Sequence, residues 1–159
     1  MPNELIRLAT IEDLPKLAPL AEEFYSSSAF LRDFNIGRFC ALWQSLLQLG
    51  TGVIFVLEVD SEIVGVIGGM MHPEAYSDEL LCQEFFWFVG QSHRGNGIRL
   101  YAELEKWARK QGCSEIRMGH LSDSMPDKMA NFYKRLGYRQ VEINFAKRLN
   151  EVEGLRRVS

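Results

Sequence analysis

Gln91-Ser92-His93-Arg94-Gly95-Asn96-Gly97-Ile98-Arg99-Leu100 joins an apolar stretch, Leu80 to Val89, to a stretch of helical periodicity, Ile98 to Gln111. Gly95 and Gly97 let the main chain turn sharply and let a ligand approach it closely. The N–H groups that open a helix have no partners within it, and the helix dipole adds positive potential there. Such a turn suits a pyrophosphate, with Arg94 and Arg99 placed to add charge-assisted contacts. The plain alternative is a tight strand-to-helix turn carrying solvated arginines. Two familiar phosphate loops are excluded: position 100 is leucine, so there is no G-x-G-x-x-G, and there is no G-K-S/T.

Working outward, Leu100, Leu104, Trp107 and Ala108 form the apolar stripe of the helix, the Glu105/Arg109 pair supports it, and Gly112 stops it. Upstream, Leu80 to Val89 reads as a strand carrying Glu84 in its middle. Val53 to Val59 and Ile63 to Met71 read as an antiparallel hairpin turning at Asp60-Ser61. Leu5 to Leu8 makes a first strand. Thr10 then caps a helix, with Asp13 in capping-box position and Ile11, Leu14, Leu17, Ala18, Ala21 and Phe24 at helical spacing. Pro19 is expected to kink or shorten that helix. Ile36, Phe39, Cys40, Trp43, Leu46 and Leu47 give a second helix ending at Gly50. Downstream come a strand, Ser114 to Leu121, a short helix, Asp127 to Leu136, stopped by Gly137, and a last strand region, Tyr138 to Leu149. The order predicts an α/β (α+β) fold, a mixed and mostly antiparallel central sheet with helices on both faces.

The chain's 159 residues suit a single domain, 1–149, followed by a polar tail, 150–159. An apolar fraction of 47% and a charged fraction of 25% are ordinary for a globular protein. A net charge of −3 offers no basic field to attract nucleic acid or anionic membrane. The three cysteines, Cys40, Cys82 and Cys113, have neither C-x-x-C spacing nor a histidine beside them, so no metal site is indicated. Their odd number fits a reducing compartment. The first nine residues are too short and too charged for a signal peptide, and no apolar run is long enough to span a bilayer. These features predict a cytoplasmic location.

Arg94-Gly95-Asn96-Gly97-Ile98 resembles the CoA pyrophosphate loop of the GCN5-related N-acetyltransferases, whose pattern is Q/R-x-x-G-x-G/A. With Arg94 first, Gly97 is fourth and Arg99 takes the sixth place, where that family carries Gly or Ala. A long side chain there must swing outward, crowd the phosphates, or pair with the phosphate at the adenosine end. Ala130-Asn131-Phe132-Tyr133-Lys134-Arg135-Leu136-Gly137-Tyr138 resembles the family's late A-x-x-F-Y-x-x-L-G-F/Y signature. Thr10-Ile11-Glu12-Asp13-Leu14 is similar to its opening, and Gly97 to Gly112 to the helix after the loop.

The resemblance implies an acyl-CoA N-acyltransferase fold and an enzyme that moves the acetyl group of acetyl-CoA onto a primary amine within a ternary complex. It gives Tyr133 the role of general acid toward the CoA sulfur, against the plain reading of a core aromatic. Glu84 is a candidate general base, because burial among Leu80, Leu81, Phe85, Phe86 and Trp87 raises a carboxylate's pKa. Alternation instead turns it to solvent. His120, at the end of the strand after the helix, is a second candidate base, or a satisfied strand-end histidine. The main chain of Trp87, Phe88 and Val89 is implied to hold the pantetheine amides and the oxyanion. Gly95, Asn96, Gly97 and Ile98 are implied to offer N–H groups to the pyrophosphate. Phe30 to Phe34 and Tyr76 to Glu79 are expected at the acceptor's entrance. Asp33, Asp78, Glu79 and Glu84 suit a cationic acceptor, either a small molecule or a peptide. Family members often pair as homodimers, and no feature of this sequence requires that. The reading of a different class is a non-catalytic acyl-CoA-binding module on the same fold.

Overall fold

The computed structural model describes residues 1–26, 33–120 and 125–149. The tail 150–159, the expected strand end at Leu121 and most of the loop before Asn35, with Phe30, lie outside them. Two compact units are present, Met1–Pro126 and Asp127–Ser159.

The first unit is built on a five-stranded sheet in sequential order: β1 (Glu4–Leu8), β2 (Gly52–Val59), β3 (Glu62–Pro73), β4 (Leu80–Val89) and β5 (Glu115–Arg117). The first four are antiparallel to their neighbours, and β5 runs parallel to β4. Asp60 and Ser61 both take positive φ, 50° and 71°, the twist that a two-residue hairpin turn demands. The sheet separates two packing faces. On one, Leu14 and Leu17 of α1 (Leu14–Ser26) and Trp43 of α2 (Ile36–Leu49) pack with Ile54, Val56 and Val66. On the other, Leu100 and Leu104 of α3 (Gly97–Lys110) close over Gly65 and Gly69, where an added Cβ would lie 3.3 Å and 2.9 Å from their side chains. The expected mixed sheet with helices on both faces is thus present.

Helix α1 runs through Pro19 to Ser26, so Pro19 does not shorten it. Pro15 and Pro19 share the exposed face, so the one backbone bond that Pro19 removes is lost where water can replace it. Buried Leu14, Leu17 and Ala18 hold the opposite face on the sheet. Asn35 caps α2, its Oδ1 accepting from the Arg38 N–H at 2.9 Å, and Gly50 ends it at φ 71°.

The junction of β1 and α1 is closed by ions. Arg7 donates to both oxygens of Asp13, at 2.7 and 3.1 Å, and through Nε to Glu58 at 3.0 Å. The Thr10 N–H adds a bond to Asp13 at 2.8 Å. The Arg7 guanidinium holds the buried Asp13 carboxyl down at about 2, from an ordinary 3.8. Arg7→Leu strands that carboxylate. Breaking a buried pair costs about 3–5 kcal/mol; because 30% of the Arg7 side chain remains exposed, the expected loss is about 2 kcal/mol at pH 7. Since the folded pKa is depressed, this stability is present above pH 3.8 and lost as pH falls toward 2. Urea denaturation at pH 7 and pH 2.5 checks both statements; a deficit below about 0.5 kcal/mol at pH 7 contradicts them.

In the second unit, α4 (Pro126–Arg135) ends at Gly137, φ 89°. No strand follows among the described residues: 138–149 carry none. The expectation of a strand at Tyr138–Leu149 therefore fails. It rested on the alternation of Val141, Ile143 and Phe145, which stand 58%, 67% and 95% exposed with no ladder partner among the described residues.

Candidate active site

Strand β4 changes character at Glu84. Opposite β3, Gly69 pairs with Glu84 and Gly68 with Phe86, so Phe85 is the extra residue of a bulge. Opposite β5, pairing covers Leu81 to Gln83 only. The sequence has no room for a bulky residue at the bulge: an added Cβ at Gly68 would lie 2.4 Å from the Phe86 ring. Beyond the bulge the β3 ladder resumes. Its hydrogen-bonded pairs follow from the Gly90 N–H donated to the Val64 carbonyl at 2.8 Å. Counting back by twos, Phe88 and Phe86 face β3. Trp87 and Val89 therefore aim their main-chain groups to the other side, past the end of β5.

Glu84 sits where the two strands part. It is half-buried, and its Oε2 accepts from the Gly119 N–H at 3.2 Å. Burial pushes its carboxyl up to about 7, against the pull of that N–H. A carboxyl with that pKa is divided between acid and base near neutral pH, the condition for taking a proton from an ammonium. Gly119 is a partner the sequence did not reveal, being 35 residues away. His120 is the next residue and is exposed.

The loop forms a 3-10 turn, Gln91–Asn96, running directly into α3. Gly97 is buried, and a Cβ there would touch the Trp87 ring at 3.4 Å, so the helix start is seated on β4. Gly95 is different: a Cβ there would meet nothing within 4 Å, and its φ lies outside the left-handed range. Nothing described in the protein demands glycine at 95, whereas a ligand lying against the main chain would. Arg94 and Ile98 are exposed. Arg99 is turned to β1, donating to Glu4 Oε2 at 2.8 Å, with Asn96 Nδ2 on Oε1 of the same carboxylate at 3.3 Å. Of the three courses open to Arg99, the structure takes the outward one, and Glu4 is the partner that sequence reading missed.

Tyr133 lies in the second unit, buried, with its ring 5.7 Å from Phe132 and 5.4 Å from Tyr138. Its spacing to Gly137 has a structural cause. The Gly137 N–H reaches the Lys134 carbonyl at 3.1 Å and the Tyr138 N–H the Tyr133 carbonyl at 3.0 Å, the paired bonds of a glycine helix stop. The contact between the Tyr133 and Tyr138 rings is the apolar clasp that accompanies such a stop. Y-x-x-x-G-Y is therefore a folding signal.

Burial pushes the Cys82 thiol up to about 12 and raises Cys113 too, which leaves both protonated and poor as acyl carriers. Tyr76, Asp78 and Glu79 are exposed between β3 and β4. No described helix is long and apolar enough to cross a membrane.

Comparison with known proteins agrees with this geometry. The chain superposes with a TM-score of 0.70 on an acetyltransferase of Trypanosoma brucei, at 21% identity, covering 92% of this chain and all (100%) of that one. Glucosamine-6-phosphate N-acetyltransferase of Arabidopsis thaliana gives 0.70 at 18% identity, covering 93% and 99%. An aminoglycoside acetyltransferase from an uncultured soil metagenomic sample, in complex with sisomicin, gives 0.70 at 20% identity, covering 92% and 96%. At such identities the likeness establishes the fold. No curated protein matches the sequence. The model of the acetyltransferase (GNAT) family matches residues 14–138, and the chain belongs to that family.

Proposed function

We propose that this protein is an N-acetyltransferase that transfers the acetyl group of acetyl-CoA to a primary amine by direct attack, its residues 1–149 working as one domain. The carrying observation is the open space at Gly95, beside the N-terminus of α3. It fits a pyrophosphate lying against the main chain, held by the N–H groups of Gly95, Asn96, Gly97 and Ile98 with Arg94 beside them. With Arg94 first and Gly97 fourth, Arg99 holds the sixth position, where the family carries Gly or Ala, and its bond to Glu4 draws its side chain outward toward β1.

Acetyl-CoA supplies a thioester carbonyl. Glu84 takes the proton from the attacking amine. A main-chain N–H of Trp87 or Val89 donates to the carbonyl oxygen as negative charge builds on it. Tyr133 donates its phenolic proton to the sulfur as the C–S bond breaks. Transfer without an acyl-enzyme is supported by the protonated state of Cys82 and Cys113.

Isothermal titration of the protein with acetyl-CoA tests the reading. Micromolar binding supports it; the absence of binding withdraws it. Binding with no transfer to any amine leaves a CoA-binding module. Tyr133→Phe is expected to lower kcat about tenfold at pH 7 and to leave acetyl-CoA affinity intact. The loss is modest because a thiol with a pKa of about 8.5 leaves readily as thiolate, and the deficit closes above pH 9. A deficit that stays constant with pH contradicts the acid role.

A further inference from the structure

The ladder between β4 and β5 ends at the pair Gln83 and Arg117. Strands that part leave main-chain N–H and C=O groups without ladder partners, and partly buried ones must be satisfied in another way. Here two consecutive side chains of β4 do so. The Gln83 Nε2 donates to the Glu84 carbonyl at 3.0 Å and reaches the Arg117 carbonyl of β5 at 3.5 Å. A primary amide carries two N–H donors, one for the carbonyl on each strand. The Glu84 Oε2 then accepts from the Gly119 N–H at 3.2 Å, beyond the last residue of β5. Side chains thus span the gap that the ladder leaves.

Glu84 lies opposite Gly69, where an added Cβ would meet Leu104 of α3, so its side chain leaves the sheet on the α3 face. A glutamate side chain is rich in rotamers, and one bond to a fixed main-chain N–H removes much of that freedom. With Oε2 engaged by Gly119, Oε1 is the atom that takes the proton from the attacking amine. An N–H bonded to a carboxylate also favours its ionised form. The groups about the carboxylate come from four elements: Gly69 on β3, Leu104 on α3, the protonated thiol of Cys82 on β4, and His120, exposed, next to Gly119.

We infer that Gly119 and Gln83 are positioning residues of the transfer: the Gly119 N–H aims the Glu84 carboxylate, and the Gln83 amide holds β4 and β5 at the separation that allows it. The inference rests on the acetyltransferase reading, with Glu84 as base, and adds the residues that set the base in place.

The bond is tested by proton–nitrogen NMR spectra of the protein from pH 5 to pH 9, the Gly119 amide being assigned by its loss from the glycine signals in Gly119→Ala. That amide proton is expected to move downfield with a midpoint near pH 7 as Glu84 ionises, to stay still in Glu84→Gln and to keep its movement in His120→Gln. A signal that is still in the wild type, or that loses its movement only in His120→Gln, overturns the inference. The role is tested by pH–rate profiles. Gly119→Pro deletes the N–H, whereas Gly119→Ala keeps it and places its Cβ 3.9 Å from Oε2, an ordinary contact. The proline variant is expected to raise the pKa governing kcat/KM by about one unit, the scale of a hydrogen bond to a charged group. Its kcat/KM then falls about fivefold at pH 7 and returns nearly to the wild-type value at pH 9, while alanine leaves the profile unchanged. Gln83→Leu is expected to shift the profile the same way by less, and it decides the matter with the NMR titration if Gly119→Pro does not fold. Losses of equal size at every pH overturn the positioning role. Failure of the wild type to bind acetyl-CoA, or a Glu84→Gln variant with unchanged kcat, overturns the reading beneath and these roles with it, even where the Gly119 amide titrates.

Discussion

Glu84→Gln is expected to cut kcat by about a hundredfold to ten-thousandfold, the usual worth of a positioned general base. It is expected at the same time to make the protein more stable at pH 8. The two effects have one cause. The Glu84 carboxyl is raised from 4.5 to about 7 by burial, so between those values the folded state holds a proton that the unfolded chain releases. Stability therefore falls as pH rises from 4.5 to 7, and above pH 7 the whole cost is present. A shift from 4.5 to about 7 corresponds to about 3 kcal/mol. Glutamine removes the ionisation and keeps an oxygen for the Gly119 N–H. Its gain is near zero at pH 4 and reaches up to about 3 kcal/mol at pH 8, or roughly 6–10 °C in Tm for a chain of this size. In the wild type, kcat/KM is expected to rise with pH through a pKa near 7, and the variant loses that limb. Thermal melts at pH 4 and 8, with a pH–rate profile, measure both. Unchanged kcat with the stability gain intact would show a buried carboxylate with no role as base, and His120→Gln would then be the variant to examine.

This trade of stability for chemistry was half legible in the sequence. A glutamate in Leu80–Val89 stands out, and the helix stops at Gly50, Gly112 and Gly137 fall where glycine spacing puts them. What could not be read is which way Glu84 points. Alternation decides direction only while a strand stays in register, and Phe85 breaks the register opposite Gly68-Gly69. The glycine pair was the available clue, because Gly68 leaves room for the Phe86 ring on one face and Gly69 for the Leu104 side chain on the other. Apolar residues on both sides of the bulge give no period to contradict a regular strand. Long-range polar pairs were equally hidden. Glu4 meets Arg99 across 95 positions, and neither residue type announces the other. Local rules also could not tell that α1 continues past Pro19, because the cost of that residue depends on which face of α1 meets water. At Val141–Phe145 the alternation is real, yet a strand exists only where a partner completes its ladder.

Gly97→Asp is expected to weaken acetyl-CoA binding about a hundredfold to a thousandfold. Its backbone, at φ −58° and ψ −38°, is helical, so aspartate is conformationally permitted. The Cβ meets the Trp87 ring at 3.4 Å, an ordinary contact. The position opens α3, and a carboxylate in the first turn of a helix interacts favourably with its dipole by about 0.3–1 kcal/mol. The same N–H groups and the same field are what the loop is proposed to offer the pyrophosphate. An internal anion claims them and sets a like charge against the phosphates, a juxtaposition worth several kcal/mol. Because Gly97 is buried against Trp87, a thermal melt of the variant is measured beside its affinity to separate lost binding from lost fold. Gly97→Ala separates charge from bulk and is expected to lose less than tenfold. Gly95→Leu supplies the complementary arm, for its side chain enters space that nothing described in the protein occupies. Its Tm is expected to stay within about 1 °C, as for a surface substitution, while titration heat with acetyl-CoA disappears. If Gly95→Leu and Gly97→Asp both bind acetyl-CoA as the wild type does, the phosphates lie elsewhere. The turn at Gln91–Asn96 then does no more than join β4 to α3.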